Sequence, residues 1–223
     1  MSRLILNEQA STPATPAATK IALFADNTAT PLLKTVDDAG SVKFQTDSLY
    51  FQNYASIAAV AGGFAVDTYL AGSTCTIPLA GGWLARAQYR CEFDMVKTGA
   101  GTQAFTIIVR MGTLGTTGDA AILTLAYAVG TAAIDTGLFT VRVNFRAVGS
   151  GTSAIIQGIA ECQHHLAATG LITTGVSGEG FVIGTSSGFN STTQTKIGLS
   201  VNGGTSFSGT NTIVQTQLIN PGY

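Results

Sequence analysis

The sequence predicts an all-β protein, a jelly-roll-like antiparallel β-sandwich preceded by an extended arm and a short β-hairpin. Short segments in which apolar and polar side chains alternate recur along the chain, and no sustained helical period separates them. They number about eight to ten and are bounded mostly by turn-forming residues. So many short strands without crossover helices favour a jelly roll over an immunoglobulin arrangement.

Three strands are especially clear. Residues 89–96, 105–111 and 139–146 each carry an apolar row on one face and a mostly polar row on the other, as a half-buried strand does. The Gly-containing link at residues 98–102 predicts that the first two strands pair as an antiparallel hairpin. Their apolar rows need to be covered, so the rest of the chain is expected to supply a second sheet.

The N-terminal part of the chain is predicted to form an attachment region, with an arm and hairpin over residues 1–43 and the sandwich over residues 48–223. Prolines remove backbone donors and favour extended chain, which predicts an arm over residues 7–19. Two short apolar runs flank the turn residues 26–31 and predict a hairpin, which is marginal in water without a partner. The residues predicted to contact that partner are Pro13, Pro16, Ile21, Leu23, Phe24 and Leu33.

The sequence predicts one helix, one tight turn and seven further strands in the rest of the chain. Residues 55–61 are the one candidate helix, which Gly62 and Gly63 would end. Asn202 is followed by two glycines, which predicts a tight turn. Further strands are predicted at residues 64–69, 75–79, 120–129, 153–164, 181–183, 196–201 and 212–219.

Composition limits the classes of function. Only 10% of the 223 residues are charged, against about 25% in an ordinary domain. A surface with so few charged residues is typical of a subunit that is covered by neighbouring subunits, because burying a charge at a contact is costly. An extracellular monomer is the alternative interpretation. A net charge of −1 without a basic cluster argues against a direct nucleic-acid partner. The longest weakly apolar stretch, residues 57–66, is too short for membrane insertion, and no secretory leader is predicted at the N-terminus.

The three cysteines are predicted to be buried free thiols. Cys75, Cys91 and Cys162 are odd in number, widely spaced and without a Cys-x-x-Cys pair, so neither a zinc ribbon nor a disulfide framework is indicated. Cys91 falls on the inward row of its predicted strand. This position favours burial as a small apolar side chain.

No set of residues predicts an enzyme, a cofactor or a metal site. Residues 184–188 match Gly-x-Ser-x-Gly, but a loop-like segment follows Ser186 where a nucleophile elbow needs a helix. His164 and His165 would face opposite sides of a strand, so a contact at a rim or a subunit boundary is favoured over chelation. Asp119 and Asp135 adjoin turns, where aspartate commonly bonds nearby backbone, and no pair of acids has a glycosidase spacing.

Two regions of the sequence resemble virion proteins of tailed bacteriophages. Residues 20–26 (KIALFAD) and 33–40 (LKTVDDAG) resemble their short N-terminal module. Residues 101–112 (GTQAFTIIVRMG), 115–119 (GTTGD) and 135–139 (DTGLF) are similar to the β domain of the same group. The chain departs from the pattern at residues 27–31, which replace an expected Asp-Gly turn. The resemblance implies a structural protein, commonly trimeric, on a capsid, neck, baseplate or fibre.

The sequence therefore predicts a non-enzymatic phage virion structural protein, assembled in the host cytoplasm as a homotrimer. It is expected to be a surface-displayed capsid decoration or tail-fibre subunit that other virion proteins hold through its arm. The alternative is a receptor- or glycan-binding module at a fibre tip. In that case the loops at residues 112–119 and 184–193 would bind a host surface glycan, with Trp83 or a loop tyrosine as the stacking platform.

Overall fold

The computed structural model describes residues 63–219 except 78–79, 165–169, 173–178 and 206, and it describes the backbone of six strands within residues 1–62. The chain divides into two compact units. One comprises residues 1–49 with 221–223, and the other comprises residues 50–220. Neither unit contains a helix within the described residues, and so none of the described chain could cross a membrane as a helix.

The first unit contains a four-stranded sheet of β1 (Glu8–Gln9), β2 (Ala22–Asp26), β3 (Leu33–Val36) and β4 (Val42–Phe44), in that order. β2 and β3 pair antiparallel, which confirms the predicted hairpin. The prolines of residues 7–19 predicted an extended arm rather than an element packed in a sheet. This is wrong at β1, which pairs parallel with β2. Backbone pairing needs no side-chain alternation, so the polar residues of β1 carried no signal for it.

The second unit is a sandwich of two antiparallel sheets. Its strands, in chain order, are β5 (Leu49–Asn53), β6 (Val60–Ala61), β7 (Thr68–Tyr69), β8 (Cys75–Thr76), β9 (Gln88–Lys97), β10 (Ala104–Gly112), β11 (Ala120–Val129), β12 (Asp135–Ala147), β13 (Ile155–His164), β14 (Glu179–Thr185), β15 (Lys196–Asn202) and β16 (Gly209–Ile219). The seven-stranded sheet has the order β14-β13-β12-β9-β16-β5, with β6 also on β16. The five-stranded sheet has the order β11-β10-β15-β7, with β8 also on β15. All-β architecture is thus confirmed.

The predicted hairpin between the first two clear strands is wrong, because β9 and β10 belong to different sheets. β9 pairs with β12 and β16, whereas β10 pairs with β11 and β15. Both strands have a strongly apolar face, and placing them in opposite sheets lets these faces cover each other. Phe105 of β10 accordingly packs on Phe139 of the facing sheet, with 5.2 Å between ring centroids.

The core consists of the inward rows of both sheets. Phe93 and Phe139 stack at 5.1 Å on neighbouring strands, and Tyr127 meets Phe139 edge-on at 5.9 Å. All three cysteines are buried and free, as predicted. Burial raises the pKa of the Cys91 thiol to about 11, although a hydrogen bond to Thr216 lowers it in part.

Three further local predictions can be compared with the structure, namely a helix, a strand and a turn. The candidate helix is contradicted at Val60–Ala61, which forms β6, and its residues 55–59 lie outside the described part of the chain. The strand predicted at residues 64–69 is reduced to β7. The predicted turn after β15 is confirmed, since the Asn202 Oδ1 accepts a 2.7 Å hydrogen bond from the Gly204 amide and Gly204 has a φ of +72°.

Candidate functional site

Two groups of residues at opposite ends of the sandwich carry most of its buried polar chemistry. We call the end formed by residues 112–119 and 186–195 the loop end. The other, built around Lys97, Asp135 and His164, is the cluster end. β12 runs from Asp135 at the cluster end towards the loop end, and its 13 residues span about 40 Å at the rise of a β-strand.

The two segments that the sequence predicted to bind a ligand, residues 112–119 and 184–193, lie at the loop end, where residues 112–119 contact Thr195 and Lys196. The Thr195 amide donates to the Gly112 carbonyl at 2.9 Å, and the Lys196 Nζ donates to the Leu114 carbonyl at 3.3 Å. Residues 186–195 are also attached to the β12–β13 turn, because Ser191 and Gly149 exchange hydrogen bonds. Leu114 is 60% exposed at this end. The arrangement could present a contact surface to a partner.

Asp119 holds the loop between β10 and β11 in one conformation. Its Oδ1 accepts from the amides of Thr113 and Leu114 at 3.1 and 2.9 Å, and its Oδ2 accepts from the Gly115 amide at 2.6 Å. The carboxylate lies directly against Gly112, where an added Cβ would stand 2.0 Å from the Asp119 Oδ1. Glycine is therefore required at residue 112 for this contact. The expectation that Asp119 bonds nearby backbone is confirmed.

Arg110 supports the same loop from beneath and was missed at the sequence level. Its Nη1 donates to the carbonyls of Thr117 and Asp119 at 3.0 and 2.6 Å, and its Nε donates to the Ser200 hydroxyl at 2.7 Å. Its Nη2 pairs with Asp67. Arg110 lies on the outward row of β10, so the alternation of apolar and polar residues along this strand predicted a solvent-exposed side chain. Only the fold shows that the loop and Asp67 cover it.

Trp83 cannot be the stacking platform suggested by the sequence, because it is 1% exposed. Its ring stacks on Phe145 with 4.9 Å between centroids, and its Nε1 donates to the Gln194 carbonyl at 2.7 Å. Trp83 thus fastens the loop between β14 and β15 to the core. A large aromatic ring with one donor is well suited to this position.

Ser186 does not have the surroundings of a nucleophile elbow. Its Oγ accepts a 3.0 Å hydrogen bond from the Ile156 amide, and its own amide donates to the Ile156 carbonyl. The chain then continues to a β-bridge between Phe189 and Ala154, not into a helix. His164 lies eight residues beyond Ile156 along β13, so it is about 26 Å away at the strand rise.

The cluster end buries an aspartate, a histidine and a lysine together. The Asp135 Oδ2 lies 2.8 Å from the His164 Nδ1 and accepts from the Leu171 amide at 3.0 Å. Both side chains of the Asp135–His164 pair are fully buried. His164 was expected at a rim or a subunit contact. That expectation is wrong, because His164 lies on the inward row of β13, where its side chain is fully buried and pairs with Asp135.

Lys97 completes the cluster from β9, where it is the register partner of Asp135. Its Nζ donates to the carbonyls of Thr131 and Gly170, and it lies 5.8 Å from the centre of the Phe207 ring. Burial lowers the pKa of Lys97, and the nearby Asp135 partly offsets this. The sequence held a signal for this buried lysine, since residue 97 continues the inward row of Tyr89, Cys91, Phe93 and Met95.

The contacts of the cluster suit a structural role. Lys97 of β9, Asp135 of β12 and His164 of β13 connect three strands to residues 131 and 170–171, which lie far apart in sequence. An added Cβ on Gly170 would stand 2.3 Å from the Asp135 Oδ2, so glycine is required there too, and its φ of +89° also favours glycine. Within the described residues, no three acidic, histidine or cysteine side chains group as metal ligands would. His165 lies outside those residues.

The predicted attachment residues are only partly placed. Leu23 and Phe24 lie on β2 and Leu33 begins β3, whereas Pro13, Pro16 and Ile21 lie outside the described residues. Their role in contacting a partner stays a prediction. Comparison with protein-family models and with curated proteins finds no match to this chain.

Proposed function

We propose that this chain is a non-enzymatic structural subunit of a phage virion. It is displayed as a homotrimeric capsid decoration or tail-fibre subunit and is anchored through residues 1–43. The observation that carries the proposal is the division of the chain into a small N-terminal sheet and a much larger sandwich. Such a division suits a protein in which one unit attaches to a partner and the other is displayed.

The strand order supports the jelly-roll interpretation on which this proposal draws. If the β13–β14 hairpin is treated as an insertion, and β5 is grouped with β6 and β7 with β8, eight strand positions remain. They form the orders β5-β16-β9-β12 and β7-β15-β10-β11. Two four-stranded antiparallel sheets linked by repeated crossings between sheets agree with a double Greek key.

Exposed apolar side chains support self-association. Phe181 and Ile183 are 71% and 59% exposed on β14, which is an edge strand of the seven-stranded sheet. Ile183 is the register partner of Ile159, so the apolar surface continues onto β13. Apolar residues concentrated on an edge strand are typical of a surface that another chain covers.

Light scattering on the full chain tests the oligomeric part of the proposal. We expect a mass of about 68 kDa, three times the 22.8 kDa of one chain. Phe181→Ser should shift the population towards a single chain, whereas Leu114→Ser, an apolar-to-polar change at the loop end, should leave the mass unchanged. A full chain that stays monomeric at all concentrations would contradict the homotrimer.

Deletion of residues 1–40 tests the anchoring part. We expect the deleted protein to keep the far-ultraviolet circular dichroism of a β-protein and to fail to join the particle. Normal incorporation would contradict attachment through this region.

One observation favours the alternative of a glycan-binding fibre-tip module. Residues 112–119 and 186–193 lie at the same end of the sandwich and are held in place by Asp119 and Ser191. Rigid neighbouring loops are a common place for ligand contacts. A glycan array without any bound sugar would argue against this alternative.

A further inference from the structure

The outer face of the seven-stranded sheet contains a concave pocket of about 440 Å³. It includes Gln88, which begins β9, and Ile219, which ends β16, so it lies on the half of the sheet nearer the loop end. Its volume falls within the range of small-molecule sites. Strands β9, β12, β13 and β16 supply its walls. The lining residues are Gln88, Tyr89, Arg90, Arg142, Asn144, Ile159, Gln217 and Ile219.

Two arginines stand side by side in this pocket. Arg90 of β9 and Arg142 of β12 are register partners, so their Cβ atoms are about 5 Å apart across the strands. Like charges directly opposite each other destabilise a sheet. The side chains of both arginines are 49% exposed, which leaves them accessible to a ligand. An anion placed between them would remove the repulsion.

Each arginine retains donors that an anion could use. Arg90 pairs with Glu92 through Nη2, and Arg142 pairs with Glu161 through Nη2. A guanidinium carries five N–H donors, and among the described residues the Nε and Nη1 groups of both arginines have no hydrogen-bond partner. Each Nη2 carries two hydrogens and the glutamate uses one, so the second Nη2 hydrogen can form one fork with Nε or Nη1, and this fork matches the two oxygens of a carboxylate.

The rest of the lining suits a ring that carries hydroxyl groups. Gln88, Asn144 and Gln217 contribute carboxamides, which both donate and accept hydrogen bonds. Ile159 and Ile219 add an apolar surface that can contact the C–H face of a ring. Among the described residues, no carboxylate lines the pocket itself, although Glu92 and Glu161 each pair with one of its arginines from outside the lining.

We propose that this pocket binds an acidic saccharide, a sugar ring that bears a carboxylate. Arg90 and Arg142 hold the carboxylate, and the three carboxamides bond the hydroxyl groups. Glu92 and Glu161 compete with the ligand for the same guanidinium groups. The site goes beyond the proposed virion role and is independent of it, since neither a monomeric state nor failed incorporation into a particle would alter this chemistry.

Titration of the full chain with D-glucuronate, followed by calorimetry or by NMR of the labelled protein, tests the proposal. D-glucose, acetate and inorganic phosphate are the comparison ligands. We expect glucuronate to bind at least ten-fold more tightly than glucose or acetate, because only glucuronate combines the charge with the hydroxyl groups. Phosphate or acetate binding as tightly as glucuronate would show a general anion site and overturn the proposal. Absence of glucuronate binding would overturn the proposal as well. This holds even if the protein is a trimer in which a neighbouring copy covers this face.

Variants identify the pocket as the place of binding. Arg90→Gln and Arg142→Gln should each weaken glucuronate at least ten-fold, and Arg142→Lys should weaken it less, since lysine keeps the charge and loses the fork. Arg146→Gln is the matched control, because Arg146 is an exposed arginine of β12 outside the pocket lining. Equal losses in Arg146→Gln and Arg142→Gln would show nonspecific charge attraction and overturn the assignment.

The neighbouring glutamates provide a test of opposite sign. Glu92→Gln and Glu161→Gln each remove a carboxylate that competes for an arginine, so each should tighten glucuronate several-fold. Asp94→Asn removes an exposed carboxylate of the same strand outside the pocket. If only the overall charge of the surface attracted glucuronate, Asp94→Asn would raise the affinity for glucuronate as much as Glu92→Gln does. Such an equal gain would contradict the proposal.

Discussion

The loop end and the cluster end are stabilised by the same device at different depths. At each end an aspartate rests against a glycine that has no room for a Cβ, Asp119 against Gly112 and Asp135 against Gly170. Asp119 accepts from amides four to six residues away, and its loop carries the exposed Leu114. Asp135 contacts groups 29 and 36 residues away, in full burial. The hydrogen bonds of Asp119 fix the conformation of one loop, whereas those of Asp135 join strands and connections that are distant in sequence.

This difference predicts unequal costs when each aspartate is removed. The largest effect is expected for Asp135→Ala, which leaves Lys97 and His164 buried without their carboxylate. Removing one partner of a buried charged group costs about 3–5 kcal/mol. Denaturant unfolding should show a loss of that size in the free energy of unfolding.

Asp94→Ala is the matched control for that measurement. Asp94 is an exposed aspartate on β9 that accepts a 2.8 Å hydrogen bond from the Thr212 amide. We expect it to cost less than about 1 kcal/mol. If Asp135→Ala cost no more than this control, the cluster would not stabilise its end of the sandwich. Asp135→Asn, which keeps acceptor capacity, should give an intermediate loss should the alanine variant fail to fold.

A smaller effect is expected for Asp119→Ala at the loop end. Three amides lose an acceptor, but they lie near the surface and water can replace it in part, so we expect a cost of about 2 kcal/mol. The amides of residues 113–115 should exchange hydrogen faster, while those of β12 should not. Asp119→Asn should retain part of the protection, because its Oδ1 still accepts and its Nδ2 does not. Unchanged exchange in Asp119→Ala would show that these hydrogen bonds do not fix the loop.

The smallest effect concerns the two cysteines nearest these ends. Cys75 pairs with Ile197 at the loop end, and Cys162 pairs with Phe139 towards the cluster end. Burial raises the pKa of Cys162 to about 12 from 9.0, with a further contribution from Asp135, and burial also raises the pKa of Cys75. Between pH 9 and 10 the unfolded thiols therefore release protons that the folded thiols keep, and the free energy of unfolding falls.

Replacing either cysteine by alanine should reduce the decrease in the free energy of unfolding between pH 9 and 10 by about 1 kcal/mol. Unfolding of Cys75→Ala and Cys162→Ala at both pH values measures the change in slope, which a constant packing cost does not affect. Equal changes would mean that both ends exclude water equally well. A changed slope in Cys162→Ala alone would mean that the loop end admits water to Cys75.

Much of the fold could be predicted from the sequence, because alternation reports which face of a strand is apolar. β9 and β10 were predicted to within one residue at each end, β12 was predicted except for its first four residues and its last, and Cys91 was correctly assigned to the core. Asp119 was also predictable as a turn aspartate, since its partners lie within six residues of it. Alternation does not identify the partner strand, and so the pairing of β9 with β10 was predicted wrongly.

The sequence by itself determined the all-β class, the buried thiols and the local turns, since each depends on residues close together in the chain. Tertiary structure decided the burial of Trp83, Arg110 and His164, because segments remote in sequence cover them. It also placed Arg90 beside Arg142, a pairing set by strand register that no spacing along the chain encodes. Register depends on how two whole strands pack, and only the folded sandwich fixes it.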